Sequence, residues 1–131
     1  MKTNLVTIND DADIFEAAGK MKQKSVGSLI VFDSKTKKQY GIVTNDDIVR
    51  RAVAVRKTDL KIRDIASKPL TGISPDADLS EAAKIMGNED LKRLVVFKGD
   101  RIVGIISTRD IIRISPSLYD LIAEKEHFRK S

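Results

Sequence analysis

Apolar and polar positions follow one another along this chain in a fixed succession that occurs twice. Leu5-Val6-Thr7-Ile8 reads as a short strand. Ile14, Ala17, Ala18 and Met21 then recur at helical spacing, behind Asp13 as N-cap with Glu16 at N3, the form of a capping box. Ser28-Leu29-Ile30-Val31-Phe32 is a buried strand, residues 33–38 a polar hairpin loop whose charge is solvation, and Tyr40 to Thr44 the returning strand. The pattern predicts a helix onward through Ile48, Val49, Ala52 and Val53, with Arg50 and Arg51 on its polar side. Residues 57–67 form a linker with a helical turn at Ile62-Arg63-Asp64-Ile65, and Pro69 drives its predecessor toward extended geometry. The plan then repeats: strand Leu70 to Ile73, capped helix from Asp78, strand Arg93 to Phe97, tight hairpin at Lys98-Gly99-Asp100, strand Ile102 to Ile106, helix from Thr108.

Each half therefore reads β-α-β-β-α. Ile8 matches Ile73, Asp13 matches Asp78, Met21 matches Met86 and Phe32 matches Phe97, all 65 positions apart. From Gly41 and Gly104 the offset is 63, so the first hairpin loop is two residues longer. Length changes in a loop cost little, whereas the flanking strands must keep register. The expected fold is mixed α/β (α+β): two pseudo-symmetric repeats packed sheet to sheet, with a cleft between them. The 131 residues make one module, with repeat one about 4–56, linker 57–67, repeat two about 68–114 and a helical tail 115–131. Pro116 suits the first turn of that tail helix, where Leu118, Leu121, Ile122 and Phe128 make an apolar stripe. The stripe needs cover, from its own module or from a second subunit.

One stretch in each half carries candidate chemistry: Gly41-Ile42-Val43-Thr44-Asn45-Asp46-Asp47-Ile48 and Gly104-Ile105-Ile106-Ser107-Thr108-Arg109-Asp110-Ile111. The hydroxyl residue falls where strand turns into helix, and the aspartate falls in the first helical turn. Hydroxyl, free backbone N–H groups and carboxylate at a strand's C-terminal end can hold a phosphate and a sugar diol. A single copy reads equally well as an N-cap with a first-turn acid; two copies in matching context shift the weight toward binding.

Composition narrows the field. There is no cysteine, which excludes disulfides, thiolate catalysis and cysteine-ligated metal, and the one histidine, His127, lies in the tail. No metal site and no catalytic triad are expected. No apolar run approaches spanning length and the N-terminus lacks a signal peptide's apolar segment, so a cytoplasmic protein without membrane contact is expected. A net charge of +5 fits an anionic partner, but aromatics are only 5% and tryptophan is absent, which leaves few stacking residues for single-stranded nucleic acid.

The repeat plan, the runs Val26-Gly27-Ser28-Leu29-Ile30-Val31 and Lys92-Arg93-Leu94-Val95-Val96, and the doubled Gly-h-h-[Ser/Thr]-x-x-Asp together resemble the CBS (cystathionine β-synthase) domain family. A tandem pair of this kind is a Bateman module, here similar to small stand-alone prokaryotic examples. The resemblance covers nearly the whole chain to about Arg113. It implies a regulatory, non-catalytic module that binds AMP, ADP, ATP or S-adenosylmethionine between its repeats, forms a homodimer and signals to an effector protein.

The resemblance also implies two sites. The first joins Thr44 and Asp47 to Lys68, Pro69, Leu70 and Thr71, with Lys92, Arg93 and Arg109 on the phosphate side. There Asp47 accepts the ribose hydroxyls, Leu70 and its neighbours wall the adenine, and Thr44 reaches a phosphate or ribose oxygen. The second joins Ser107 and Asp110 to Asn4, Leu5, Val6 and Thr7, plus Gly27 and Ser28. Charge separates them: Lys92 and Arg93 stand where the other repeat has Gly27 and Ser28, and Arg109 stands where it has Asp46. The first site is then expected to take the phosphorylated ligand, and the second one with few phosphates, a cationic one such as S-adenosylmethionine, or none. The competing reading pairs Arg93 and Arg109 with Asp90 or Asp110 at the surface.

Several positions depart from the family pattern. Val95 replaces a usual proline, Ala66 stands where methionine is common and loosens the adenine wall, and little chain precedes Asn4. Gly72 replaces a larger β-branched residue and is expected to widen the first site. Two rival functions stay open: a nucleic-acid-binding or purely structural dimerisation module using the basic surface, whose binding to nucleic acid falls steeply with salt, and an enzyme, for which no nucleophile–base pair is evident.

Overall fold

The computed structural model describes residues 5–68, 72–117, 120, 122 and 123. In it the repeated pattern becomes two sheets of three strands. The first holds β1 (Thr7–Asn9), β2 (Ser28–Phe32) and β3 (Gln39–Thr44), with α1 (Ile14–Lys24) as the crossover between β1 and its parallel neighbour β2. β3 returns antiparallel and leads into α2 (Asn45–Ile48), and the linker carries α3 (Ile62–Ile65). β4 (Gly72–Ile73), α4 (Leu79–Glu89), β5 (Arg93–Lys98), β6 (Arg101–Ser107) and α5 (Thr108–Ile114) repeat the plan with the same pairing. Each set forms its own compact unit, residues 5–68 in one and the described residues from 72 in the other.

Local chemistry sets the element ends in both copies alike. Asp13 and Asp78 sit in extended backbone and accept from the Glu16 and Glu81 amides, satisfying a donor that the first helical turn leaves free. At α1 only the aspartate half of the expected capping box is present. Both helices end on a residue in left-handed conformation, Ser25 at φ 53° and Asp90 at φ 56°. The register also slips at one matched point in each hairpin, between Val31 and Phe32 and between Val96 and Phe97. Tyr40 and Val103 are the extra residues of these bulges, and a bulge re-aims the side chain it carries.

Each core is completed by the segment that follows its repeat. Ile62 and Ile65 of α3 are buried with Ile14, Leu29 and Val43 in the first. Ile122 of the tail is buried with Met86, Leu94 and Ile111 in the second. Full burial of such a side chain contributes roughly 1.5–3 kcal/mol. Of the expected tail stripe, Ile122 is thus covered by its own unit, while Leu118, Leu121 and Phe128 lie outside the described residues, as does His127.

Three expectations are corrected. The first strand begins at Thr7 rather than Leu5, although Val6 still accepts from the Ile30 amide at 2.9 Å. The helix after Thr44 does not continue as one α-helix: α2 stops at Ile48 and Val49–Val53 is π-helical, with the Ala54 amide on the Val49 carbonyl. Ile48 and Ala52 are buried while Val49 and Val53 are more than half exposed, at 56% and 53%. Gly72, finally, opens no space, because a Cβ there would lie 2.4 Å from the Phe97 ring and 2.9 Å from the Val95 carbonyl. The ring fills what the missing side chain leaves.

Candidate functional site

The strand that ends each hairpin delivers a hydroxyl residue to the start of a short helix. Thr44 closes β3 at φ −113°, ψ 163°, and Ser107 closes β6 at φ −108°, ψ 164°. Thr44 Oγ1 accepts from the Asp47 amide at 3.1 Å, and Asp47 Oδ2 accepts from the Thr44 amide at 2.9 Å. Ser107 and Asp110 make the same reciprocal pair at 3.1 and 2.8 Å. The capping reading is therefore correct for both copies, and the reciprocal bond to the hydroxyl residue's own amide is a feature the spacing alone did not announce. Capping does not exhaust the carboxylates, since each box uses only Oδ2.

Beyond the boxes the copies diverge. Asp47 Oδ1 lies 4.0 Å from Arg51 Nε, and Asp46 pairs with Arg50 at 3.2 Å. The matching positions after Ser107 hold Arg109, Asp110, Arg113 and Ile114. Among the described residues Arg109 and Asp110 form no ion pair within 4 Å, so the expected alternative of an Arg109–Asp110 pair does not arise. Arg93 and Asp90 each engage in interactions of their own.

Strand pairing sets the neighbours of each box within its own unit. Ser28 faces Thr44 across β2 and β3, and the Asn45 amide bonds the Gly27 carbonyl at 2.9 Å. Likewise Arg93 faces Ser107, and the Thr108 amide bonds the Lys92 carbonyl at 3.0 Å. The resemblance implies that Gly27 and Ser28 serve the second box, and Lys92 and Arg93 the first, as contributions from the opposite repeat, which is a separate matter from these pairings. An antiparallel hairpin necessarily puts the residues that open one strand beside those that close the next. Lys92, Arg93 and Arg109 are thus backbone neighbours of Ser107 and Asp110, while small neutral Gly27 and Ser28 are those of Thr44 and Asp47.

The linker also reaches the first box. Ser67 and Ile42 exchange backbone hydrogen bonds at 2.9 and 3.0 Å, and because the pairing is antiparallel Lys68 falls beside Gly41 rather than at the Thr44 end of β3. Gly41 permits this, since a Cβ there would stand 2.8 Å from the Ser67 carbonyl oxygen. Leu5 and Val6 precede β1 in the same unit. Asn4, Pro69, Leu70 and Thr71 lie outside the described residues.

A second polar cluster went unnoticed in the sequence. Asp10 is buried, its Oδ1 accepting from the Ser34 amide at 3.1 Å and its Oδ2 from the Tyr40 hydroxyl at 3.0 Å. Desolvation, reinforced by that bond, raises the Tyr40 pKa to about 12. Arg63 adds an ion pair to Asp11 and its amide bonds the Asp10 carbonyl, tying α3 to the loop after β1. At the corresponding places the second copy has Pro75 and Val103. Among the described residues no group of three or more His, Cys, Asp or Glu could hold a metal ion, and no helix is long and apolar enough to cross a membrane.

Comparison with known proteins places this geometry. The family described as "CBS domain" matches twice, over residues 1–54 and 62–117. An uncharacterised protein of Methanopyrus kandleri is 28% identical over 127 residues, covering 95% of this chain; the chain spans 64% of that relative's length. An uncharacterised conserved protein of Pyrococcus horikoshii superposes with a TM-score of 0.81 at 25% identity, over 88% of this chain and 87% of that one. A hexameric CBS-CP12 protein from bloom-forming cyanobacteria superposes with a TM-score of 0.77 at 32% identity, over 88% and 65% respectively.

Proposed function

The chain belongs to the CBS domain family as a tandem pair, and from that premise we propose that it is a non-catalytic regulatory module that binds an adenosine nucleotide. The observation that carries the reading is the doubled box: in each unit a strand ends on a hydroxyl residue whose helix presents a carboxylate with one oxygen outside the cap. A carboxylate in that condition can accept both protons of a ribose diol. The proposed contacts are Thr44, Asp47 and Lys68 in one unit, and Ser107, Asp110, Lys92, Arg93 and Arg109 in the other. AMP, ADP and ATP are the ligand class, with S-adenosylmethionine suited to the box that has few cations. The cytoplasm, where such nucleotides are abundant, is the proposed location.

Charge supports putting phosphates near Ser107 rather than Thr44. Arg109 and Arg113 lie four apart on one helix with no acid between them but Asp110, whereas Asp46 and Asp47 are balanced by Arg50 and Arg51. Partly solvated charges at this range change affinity by on the order of a kcal/mol each. Calorimetric titration of AMP into Arg109→Glu is expected to show affinity reduced about tenfold or more. Unchanged affinity contradicts the charge assignment.

Self-association belongs to the same proposal. Val49 and Ile112 occupy matching positions and are both exposed, and the related cyanobacterial protein is described as hexameric. A homodimer with isologous contacts is the simplest assembly. Sedimentation showing a monomer at all concentrations and nucleotide states rejects this part.

A further inference from the structure

Arg51 stands where the second copy has Ile114, and it touches two things that the function needs connected. Its Nη1 donates to the Ile65 carbonyl at 3.2 Å, and its Nε lies 4.0 Å from Asp47 Oδ1. Ile65 is the last residue of α3, where carbonyls lack partners inside the helix, so a guanidinium is a natural terminator there. The chain then turns extended at Ala66, φ −70° and ψ 147°, and Ser67 pairs with Ile42 two residues before Thr44. An exposed ion pair at this distance is weak by itself. A planar fork held by carboxylate and carbonyl together is fixed better than by either alone.

We infer that Arg51 is a positioning residue that fastens the linker to the Thr44–Asp47 box, so that the state of the Asp47 carboxylate is felt by the backbone at Ile65–Ser67. Resting on the nucleotide reading above, this makes occupancy of the first box, and not of the second, the event transmitted to the segment joining the repeats. Ile114 offers no side-chain donor, so no fastening of this kind can be made from the matching position. The coupling is reciprocal: whatever loosens the linker also alters the carboxylate's surroundings.

Amide hydrogen exchange tests the fastening without ligand. In Arg51→Gln the Ser67 and Ile42 amides are expected to exchange on the order of fivefold faster, the equivalent of one hydrogen bond, with Leu94 and Val96 in the second sheet unchanged. Arg51→Lys should restore part of the protection, and Asp47→Asn, which keeps the cap acceptors but drops the charge, should speed Ser67 about twofold. Unchanged Ser67 exchange in both Arg51→Gln and Asp47→Asn, or equal acceleration in the second sheet, overturns the inference. With S-adenosylmethionine, the ligand proposed for the first box, added at saturation, the change in Ser67 exchange seen in wild type should shrink several-fold in Arg51→Gln; an equal change in both overturns the transmission step. A wild-type protein that binds neither S-adenosylmethionine nor AMP removes the nucleotide reading, and the ligand-free arm still decides the fastening.

Discussion

The two boxes share their capping bonds and the backbone angles of Thr44 and Ser107 to within a few degrees, but not their surroundings. Thr44–Asp47 is flanked by Gly27 and Ser28, balanced by its own arginines and stitched to the linker through Arg51 and Ser67. Ser107–Asp110 is flanked by Lys92 and Arg93, and its helix carries Arg109 and Arg113. Duplication kept what the fold requires, namely caps, bulge and strand register, because each lies on the path of the backbone. Charge around the boxes was free to diverge, since exposed side chains cost the fold little. The lesson is that the backbone holds the motif constant and leaves its surrounding charge open, which on the proposed reading is what selects the ligand.

The largest effects should come from the segments that close each core. Ile62→Ala and Ile122→Ala each remove a fully buried side chain, and each is expected to cost about 2–5 kcal/mol in chemical denaturation. Exchange mapping should place the loss in the first unit for Ile62 and in the second for Ile122. A cost below 1 kcal/mol for Ile122→Ala would show that the tail is not part of the second core.

Next in size is the cluster that only the first copy possesses. Tyr40→Phe leaves Asp10 Oδ2 without its donor, at an expected cost of about 1–3 kcal/mol. It also changes the alkaline limb. The folded Tyr40 pKa, about 12, is above its ordinary 10.0, so the unfolded chain loses this proton first. Stability from Tyr40 is therefore full below pH 10 and lost as pH rises through about 12. The phenylalanine variant should lack that part of the decline.

The caps should cost less, and equally. Thr44→Ala and Ser107→Ala each delete the acceptor for one amide, worth about 1 kcal/mol in each copy. A difference larger than the measurement error would show that the linker contacts support the first box. Smallest is Arg50→Ala, which breaks the exposed pair with Asp46; roughly 0.3–0.5 kcal/mol is expected, vanishing at high salt.

Much of this was legible in the sequence because it is local. The caps at Asp13 and Asp78, the strands, the turn at Ile62–Ile65 and the hydroxyl–aspartate spacing each depend on neighbours within a few residues, and each recurs in the second copy. What was not legible depends on contacts distant in the chain. Tyr40, the extra residue of a bulge, meets Asp10 thirty positions away, and the Phe97 ring that occupies the space beside Gly72 is likewise distant in the chain. The π-helical turn at Val49–Val53 overrode a regular helical pattern. Arg51 did leave a trace, its spacing of four from Asp47, but nothing local linked it to Ile65.

The central claim is that the carboxylate of at least one box receives an adenosine ligand. Calorimetric titration of AMP, ADP, ATP and S-adenosylmethionine into wild type, Asp47→Asn and Asp110→Asn tests it most directly, since asparagine keeps an acceptor for the cap. Saturable binding of an adenine nucleotide, weakened tenfold or more by at least one substitution, is the predicted result. No heat with any of the four ligands, or binding indifferent to both substitutions, contradicts it.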